Sequence, residues 1–265
     1  MKSLSELRAL PHTSISAIKT FVQCPRKYRL NYVDKVEFAF RPIALAIGTV
    51  WHDVLGHWLG AATTGSTPTR EELHERLRSG IDAAVNADGP PVLFNDAEQS
   101  LDGTVDLASR MLDAFLRDVA LPEKVLGIEV PFSLQLSDPD TGELLPMPLV
   151  GAMDAVVIEG GSRMVWELKT AKQRWSADQL CHDLQSTAYR LGAHDDGPID
   201  VDVKLIVVTK ARTPLVQVER LTGGLQAERD LQATAASVLR AIAAGVDHPI
   251  RGWACRGCPV AHACR

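Results

Sequence analysis

Two segments near the middle of the chain combine strand-forming apolar residues with charged side chains. The first, VGAMDAVVI, carries Asp154, and the second, MVWELKT, carries Glu167 and Lys169. Successive side chains of a β-strand point to opposite faces, so Glu167 and Lys169 share one face. Both a half-exposed strand with a surface ion pair and the wall of an active site account for this pattern.

The turn between the two segments decides how the carboxylates lie relative to each other. Residues 159–162 read EGGS, a typical hairpin connection. If the loop is centred on its two glycines, Asp154 lies directly opposite Glu167, where like charges are destabilising. Lys169 offsets part of the repulsion, and a divalent cation such as Mg²⁺ or Mn²⁺, which prefers oxygen ligands, offsets more. A register slip of one residue would instead move one carboxylate to the other face.

Three further features support the active-site interpretation. His52 lies at the border of an apolar helix face, from which it could point into a cleft, although a lone histidine on a helix is more often structural. Gln185 and Tyr189 are spaced i, i+4 and therefore share one helix face. Glu129, on the first predicted strand, adds a weaker signal.

The five cysteines form a separate pattern. Cys255, Cys258 and Cys264 have the spacing C-x2-C-x5-C, and Cys24 lies near the other end of the chain. An odd number of cysteines is a poor disulfide framework. Four thiolates suffice for a 4Fe–4S cluster, and tetrahedral zinc is the chemical rival. A shared site would clasp the chain ends together and stabilise the fold, whereas Cys181 reads as an ordinary helix residue.

Composition limits the classes of function. The chain has 265 residues and a formal net charge of -5, which argues against a protein that coats nucleic acid non-specifically. It does not exclude a nucleic-acid enzyme with carboxylates at its metal site and local basic contacts. No apolar run reaches membrane-spanning length, and the N-terminus lacks the apolar region of a signal peptide. These features predict a cytoplasmic protein.

The elements that must position these residues change in type along the chain. Helices are predicted from Ser14 to Val22, Arg26 to Val36, Leu45 to Leu59, Thr69 to Val85 and Ala97 to Val119. Strands are predicted at Lys124–Leu136, Leu149–Glu159, Arg163–Thr170, Val201–Val208 and Leu215–Arg220. Further helices are predicted at Ala177–Leu191, between the third and fourth strands, and at Leu225–Ala244. This order is typical of a mixed α/β sheet.

Taken in chain order, these residues resemble the PD-(D/E)XK nuclease superfamily. In particular they are similar to the RecB/AddB nuclease domains and to the iron–sulfur exonucleases of CRISPR adaptation and phage recombination. The matching motifs, which span residues 14 to 264, are SISAIKTFVQCPRKYRLNYV, GTVWH, GAMD, ELK, Gln185-x3-Tyr189 and CRGCPVAHAC. Glu167 stands where the family accepts Asp or Glu, and the residue immediately before Asp154 is not the proline of a literal Pro-Asp.

The resemblance implies a fold and a domain organisation. The fold would be α/β, a restriction-endonuclease-like mixed β-sheet core flanked by helices, with an N-terminal helical region and a C-terminal iron–sulfur clasp. One nuclease domain would cover residues 1–265. Residues 1–120 would form the helical region, 121–220 the catalytic core and 221–265 the C-terminal helix and cysteine tail.

The resemblance also implies roles for individual residues in the metal-dependent hydrolysis of DNA. The Mg²⁺ or Mn²⁺ ligands would be His52, Asp154, Glu167 and the backbone carbonyl of Leu168. Lys169 would orient or help activate the attacking water, with Gln185 and Tyr189 positioning the backbone, the lysine or the DNA. Cys24, Cys255, Cys258 and Cys264 would bind a 4Fe–4S cluster. Candidate phosphate contacts are Lys19, Arg26, Lys27, Lys172 and Arg174.

The leading hypothesis is an exonuclease that acts on single-stranded or frayed DNA ends in recombination, repair or CRISPR spacer processing. The chain has no Walker-type motif, so an AddB-like role would need a helicase or CRISPR-adaptation partner. A second hypothesis is a catalytically weak DNA-binding or adaptation subunit that uses the fold and cluster as a scaffold. A third is a zinc-stapled regulatory protein, which leaves His52, Asp154 and Glu167 unexplained.

Overall fold

A computed structural model of the chain describes residues 2–95, 100–193 and 201–264. The helices are α1 (Leu4–Arg8), α2 (Ile15–Gln23), α3 (Pro25–Tyr28), α4 (Ile43–Thr64), α5 (Arg70–Asn86), α6 (Leu101–Asp118), α7 (Ala177–Cys181), α8 (Leu184–Gly192) and α9 (Leu225–Ala243). The strands are β1 (Arg41–Pro42), β2 (Val92–Leu93), β3 (Lys124–Leu134), β4 (Leu149–Glu159), β5 (Ser162–Ala171), β6 (Asp202–Thr209) and β7 (Val216–Leu221).

Strands β3 to β7 form one five-stranded sheet whose spatial order follows the chain. The pair β5–β6 is parallel, whereas β3–β4, β4–β5 and β6–β7 are antiparallel. A parallel pair cannot be joined by a tight turn, and α7 and α8 lie in the connection between β5 and β6. The predicted mixed sheet flanked by helices is confirmed.

Helices cover both faces of this sheet and create two apolar cores. Helices α4, α5 and α6 supply the first core together with one face of the sheet, and α2, α8 and α9 supply the second with the other face. Met164, Trp166 and Leu168 of β5 belong to the first core, whereas Val165 belongs to the second. The predicted alternation of β5 is therefore confirmed, and Glu167 faces away from the core that holds Trp166.

The hairpin between β4 and β5 has the predicted register. Its pairs run from Glu159 with Ser162 to Ala155 with Trp166, all consistent with a two-residue turn. The φ angles of Gly160 and Gly161 in that turn are 58° and 72°. A turn of this kind needs positive φ at both central residues, which glycine adopts without strain. Asp154 and Glu167 follow directly after the last pair.

The structure corrects the predicted helix Ala177–Leu191, which is two helices, α7 and α8. The side chain of Asp183 accepts hydrogen bonds from the Ser186 backbone N at 2.9 Å and from Ser186 Oγ at 2.8 Å, and it thereby caps α8. A short acidic side chain can satisfy a backbone donor locally, so it favours a helix start over a helix interior. Apolar periodicity alone did not reveal this break.

Other boundaries differ in smaller ways. The predicted helix Arg26–Val36 is α3 followed by a π-helical turn at Arg29–Val33. Helix α6 begins after its cap Ser100, and the predicted start at Ala97 lies outside the described residues. Helix α1 and the two-residue strands β1 and β2 were not predicted.

The longest helix, α4, has 22 residues and carries His52 near its middle. Its buried side chains pack on α5, on α6 and on the sheet. Across the described ranges, neither α4 nor any other helix is both long and apolar enough to cross a membrane.

Candidate active site

The ends of the paired region of β4 and β5 bring two carboxylates and a lysine together. Asp154 Oδ2 accepts a hydrogen bond from the backbone N of Leu168 at 2.7 Å, which ties the two strands where their regular pairing stops. Glu167 is fully buried, and its Oε1 contacts the Lys169 ammonium group. The side chain of Leu168 is buried in the first core, so Leu168 reaches the site through its backbone.

Helix α4 adds His52 to the same site. His52 Nδ1 lies 3.4 Å from Asp154 Oδ1. Burial alone would lower the pKa of His52, but the contact with Asp154 outweighs burial and holds this pKa above its ordinary value. One turn earlier, a Cβ atom on Gly48 would meet nothing within 4 Å, so the helix surface next to His52 is open.

Glu167 is the least favourably placed charge in the site. Its carboxylate contacts the Lys169 ammonium group and interacts with the Tyr189 hydroxyl. Burial, reinforced by the charge of Asp154, raises its pKa to about 7 despite the neighbouring Lys169. A buried carboxylate needs a compensating charge or hydrogen bonds. Lys169 supplies one such charge, and a bound cation would supply another.

Lys169 is held in place by α8. Its Nζ donates a hydrogen bond to Gln185 Oε1 at 3.1 Å, and Gln185 Nε2 donates to the Tyr189 hydroxyl at 2.7 Å. Burial would lower the pKa of Lys169, but the carboxylate of Glu167 outweighs burial and raises it. Burial also raises the pKa of Tyr189. At neutral pH the site therefore presents an ammonium group that is fixed by an amide and a neutral phenol.

Asp183 is a site residue that the sequence did not reveal. Its side chain is 3 % exposed and forms an ion pair with Lys19 of α2 at 2.8 Å. Burial alone would raise its pKa, but Lys19 outweighs burial and lowers it. The charge of Asp183 in turn raises the pKa values of Glu167 and Lys169. The available signal in the sequence was an acidic side chain three residues before Ser186, which is typical of a helix start. The prediction of one continuous helix at Ala177–Leu191 concealed it.

The predicted phosphate contacts have different surroundings. Lys19 pairs with Asp183, so it is not simply a free surface cation. Arg26 pairs with Asp247 at 3.2 Å, and Lys27 donates a hydrogen bond to a glutamine one helical turn earlier. The last two predicted contacts, Lys172 and Arg174, are exposed in the loop after β5.

Glu129 lies across from Asp154 but outside the regular ladder. The pairing of β3 with β4 runs through Ile128 with Ala155 and resumes at Val130 with Met153. Glu129 itself is exposed and has a φ of 50°, an uncommon value for a residue with a side chain. Glu129 therefore does not join Asp154 of β4 and Glu167 of β5 in the site.

The four predicted cluster ligands meet where the chain ends approach each other. One cavity of about 40 Å³ is lined by Cys24, Cys255, Cys258 and Cys264. All four are free thiols, and the backbone N of Ile250 donates a hydrogen bond to Cys24 Sγ at 3.4 Å. Cys181 is exposed at the end of α7, away from this set.

Neither the active site nor the cysteine cavity has its side chains gathered into a complete set of metal ligands. Among the residues described, no group of three or more His, Cys, Asp or Glu side chains is gathered closely enough to hold one ion. At the active site the side chains form two pairs, His52 with Asp154 and Glu167 with Lys169. The donor chemistry still fits a divalent cation, because His52, Asp154 and Glu167 offer an imidazole nitrogen and carboxylate oxygens, which such ions accept as ligands.

Comparison with known proteins gives one family and one shared fold. The model of the PD-(D/E)XK nuclease superfamily matches residues 12–265. The crystal structure of a predicted exonuclease from Eubacterium rectale has a TM-score of 0.60 and 16% identity, and the match covers 99% of this chain and 91% of that chain. The crystal structure of SSO0001 matches 52% of this chain and 59% of that chain at 17% identity and a TM-score of 0.36, too low to support an argument. No curated protein matches the sequence.

Proposed function

This chain belongs to the PD-(D/E)XK nuclease superfamily, and from that premise we propose that it is a divalent-metal-dependent DNA exonuclease. Its substrates would be single-stranded or frayed DNA ends, in recombination, repair or CRISPR spacer processing. The observation that carries the proposal is that Asp154, Glu167 and Lys169 meet where the pairing of β4 and β5 stops, with Glu167 fully buried near a second carboxylate.

The ligands of the proposed Mg²⁺ or Mn²⁺ ion are His52, Asp154, Glu167 and the backbone carbonyl of Leu168. A divalent ion bound there would lower the pKa of a water molecule and stabilise negative charge on the phosphate oxygens. The two carboxylates and the imidazole provide the hard and borderline donors that such an ion accepts.

The protein's own contribution is to fix a positive charge beside the reacting phosphate. Lys169 stays protonated because Glu167 raises its pKa, and Gln185 holds its ammonium group in one position. Tyr189 in turn fixes Gln185. We propose that Lys169 orients the attacking water and offsets the charge that develops on the phosphoryl oxygens, as a preorganised charge does in other active sites.

The proposal also includes a 4Fe–4S cluster of the RecB/AddB type. Its support is that Cys24, Cys255, Cys258 and Cys264 line one cavity as free thiols. The backbone N–H of Ile250 already donates to Cys24 Sγ, and such a donor also stabilises a thiolate. Zinc bound by the same four thiolates is the chemical alternative.

The two alternative functions have less support. A DNA-binding scaffold or a zinc-stapled regulatory protein has no need to bury Glu167 beside Asp154, because that arrangement is electrostatically costly. A helicase or CRISPR-adaptation partner, a cytoplasmic location and a single nuclease domain over residues 1–265 remain predictions.

The test is an assay with DNA labelled at its 5′ or 3′ end, single- or double-stranded, in the presence of Mn²⁺. Asp154→Ala and Lys169→Ala are each expected to reduce degradation by about 100-fold or more, the scale seen when a preorganised electrostatic group is removed. Thermal unfolding and iron content establish that each variant keeps its fold and cluster. Circular single-stranded DNA should resist the wild-type protein if the activity needs an end.

Lys124→Ala and Asp178→Ala serve as matched controls. Both residues are exposed and lie outside the proposed site, at the start of β3 and in α7. Their activity should equal that of the wild type. Undiminished degradation by both Asp154→Ala and Lys169→Ala would refute the proposed site, and cleavage of circular DNA would refute an exonuclease.

A further inference from the structure

Two loops leave the sheet side by side next to the proposed active site. Strands β5 and β6 are parallel, and their last pair is Ala171 with Thr209. The carboxyl ends of both strands therefore lie at one edge of the sheet, and the backbone N of Lys210 donates to Ala171 O at 2.7 Å. Lys169 is two residues before this edge, so the loops begin within about 10 Å of it along the strand.

Both loops are anchored by buried polar side chains that the proposed reaction does not use. Gln217 of β7 is 4% exposed, and its amide accepts from Trp175 N at 2.7 Å and donates to Trp175 O at 3.1 Å. The backbone N of Thr209 donates to Leu215 O at 3.0 Å, and the Thr209 hydroxyl accepts from Leu215 N at 2.9 Å. These contacts hold the loop after β5 at Trp175 and the loop after β6 at Leu215.

The anchored loops carry exposed cations. Lys172 and Arg174 lie in the first loop and Arg212 in the second. Within the described residues, none of the three takes part in an ion pair, whereas Arg220 farther along β7 pairs with Asp202. On a chain with net charge -5, this is a local positive region at the edge of the sheet where Lys169 lies.

We propose that Lys172, Arg174 and Arg212 form a phosphate clamp that holds the backbone of a DNA strand beside the reacting phosphate. The proposal deepens the proposed nuclease function and rests on it. Because Gln217 and Thr209 fix the loops, the loop backbones do not need to be ordered when DNA binds, which reduces the entropic cost of binding. The loops that carry the three cations begin within about 10 Å of Lys169 along the strand.

The salt dependence of DNA binding tests the clamp. Binding of fluorescent oligo-dT is measured in the Asp154→Ala background with EDTA, so that no cleavage interferes. Each lost phosphate contact lowers the slope of log K against log salt by about 0.7 for a single strand. The triple variant Lys172→Ala/Arg174→Ala/Arg212→Ala should therefore lose about 2 from the slope and bind about 100-fold more weakly at 0.1 M salt.

Lys124→Ala is the matched control, because it removes one exposed cation at the opposite end of the same sheet, near the β4–β5 turn. The three single substitutions should each lower the slope in part, and Lys124→Ala should leave it unchanged. An unchanged slope in the triple variant, or an equal loss with Lys124→Ala, would overturn the clamp. If the triple variant shows the predicted loss of slope but the wild type never cleaves DNA, the proposed nuclease function fails and the clamp remains.

Discussion

At the scale of single residues, Glu167 shows that the site keeps a carboxylate buried although this lowers the stability of the folded protein. It is buried, it lies near Asp154, and its pKa is raised to about 7 from an ordinary value of 4.5. A group whose pKa rises on folding favours the folded state when it is protonated. Its contribution is therefore present below about pH 4.5 and is lost as the pH rises through 7.

We expect Glu167→Gln to raise the thermal midpoint of the protein in EDTA at pH 8, because the substitution removes a buried charge. At pH 4.5 the midpoints of variant and wild type should differ much less, since Glu167 is then largely protonated. Differential scanning calorimetry at the two pH values measures this difference.

Two further measurements make the Glu167→Gln prediction specific. Glu129→Gln, on the exposed residue of β3, should leave the midpoint unchanged at both pH values. Mn²⁺ should raise the midpoint of the wild type at pH 8 by mass action and that of Glu167→Gln much less. A Glu167→Gln variant that is less stable in EDTA at pH 8 would contradict this account of the site.

The residues of the site were predictable to different degrees. Glu167 and Lys169 stand out because charges at i, i+2 interrupt an apolar strand, and the spacing of Gln185 and Tyr189 predicts a shared helix face. Asp183 could not be found in this way. Its importance depends on Lys19, which is 164 positions away in sequence, and one sequence carries no sign of that contact.

At the scale of elements, the strands were predictable and the break between α7 and α8 was not. The register of β4 and β5 follows from a two-residue glycine turn, which is a local feature. The break at Asp183 depends on competition between continuing a helix and capping a new one. That competition is decided by tertiary contacts, here the burial of Asp183 and its pairing with Lys19.

We expect Asp183→Asn to lower the free energy of unfolding by about 1–2 kcal/mol at pH 7, since a charged hydrogen-bond acceptor and an ion pair are lost while a capping side chain remains. Lys19 is 45% exposed, so solvent screens much of the ion pair. The pKa of Asp183 is lowered on folding, so its contribution is present above about pH 4 and is lost as the pH falls further. Urea titrations at pH 7 and pH 3 measure both effects.

Asp178→Asn is the control for this prediction, because Asp178 is an exposed acidic residue five positions earlier. It should change stability little at either pH. If Asp183→Asn lost as much stability at pH 3 as at pH 7, the charge of Asp183 would not be the cause. Nuclease activity should also fall in Asp183→Asn, because α8 positions Gln185 next to Lys169.

At the scale of the whole molecule, the two ends of the chain are joined by contacts besides the cysteines. The backbone N of Arg26 donates to His248 O at 3.2 Å, and the backbone N of Ala39 donates to Pro259 O at 2.8 Å. Asp247 forms ion pairs with both Arg26 and Arg29. The cysteine cavity is therefore built on an existing contact between the N-terminal helices and the tail.

We expect protein purified without oxygen to be brown and to contain about four iron and four sulfide per chain. Cys258→Ser should lose this content and become more sensitive to proteolysis near the ends, because metal binding contributes to folding there. Elemental analysis and limited proteolysis measure both. The control is Cys181→Ser, which should keep the full iron content, and colourless wild-type protein with stoichiometric zinc would contradict the cluster.

The two-residue turn at Gly160 and Gly161 fixes the register of β4 and β5. This register limits which insertions the sequence can tolerate during evolution. A substitution in β5 alters one side chain, whereas a single inserted codon between positions 163 and 166 would exchange the two faces of the strand after it. Glu167 and Lys169 would then enter the core that Trp166 occupies. Natural variation between Asp154 and Glu167 should therefore consist of replacements, and the number of residues separating them should be invariant among active proteins.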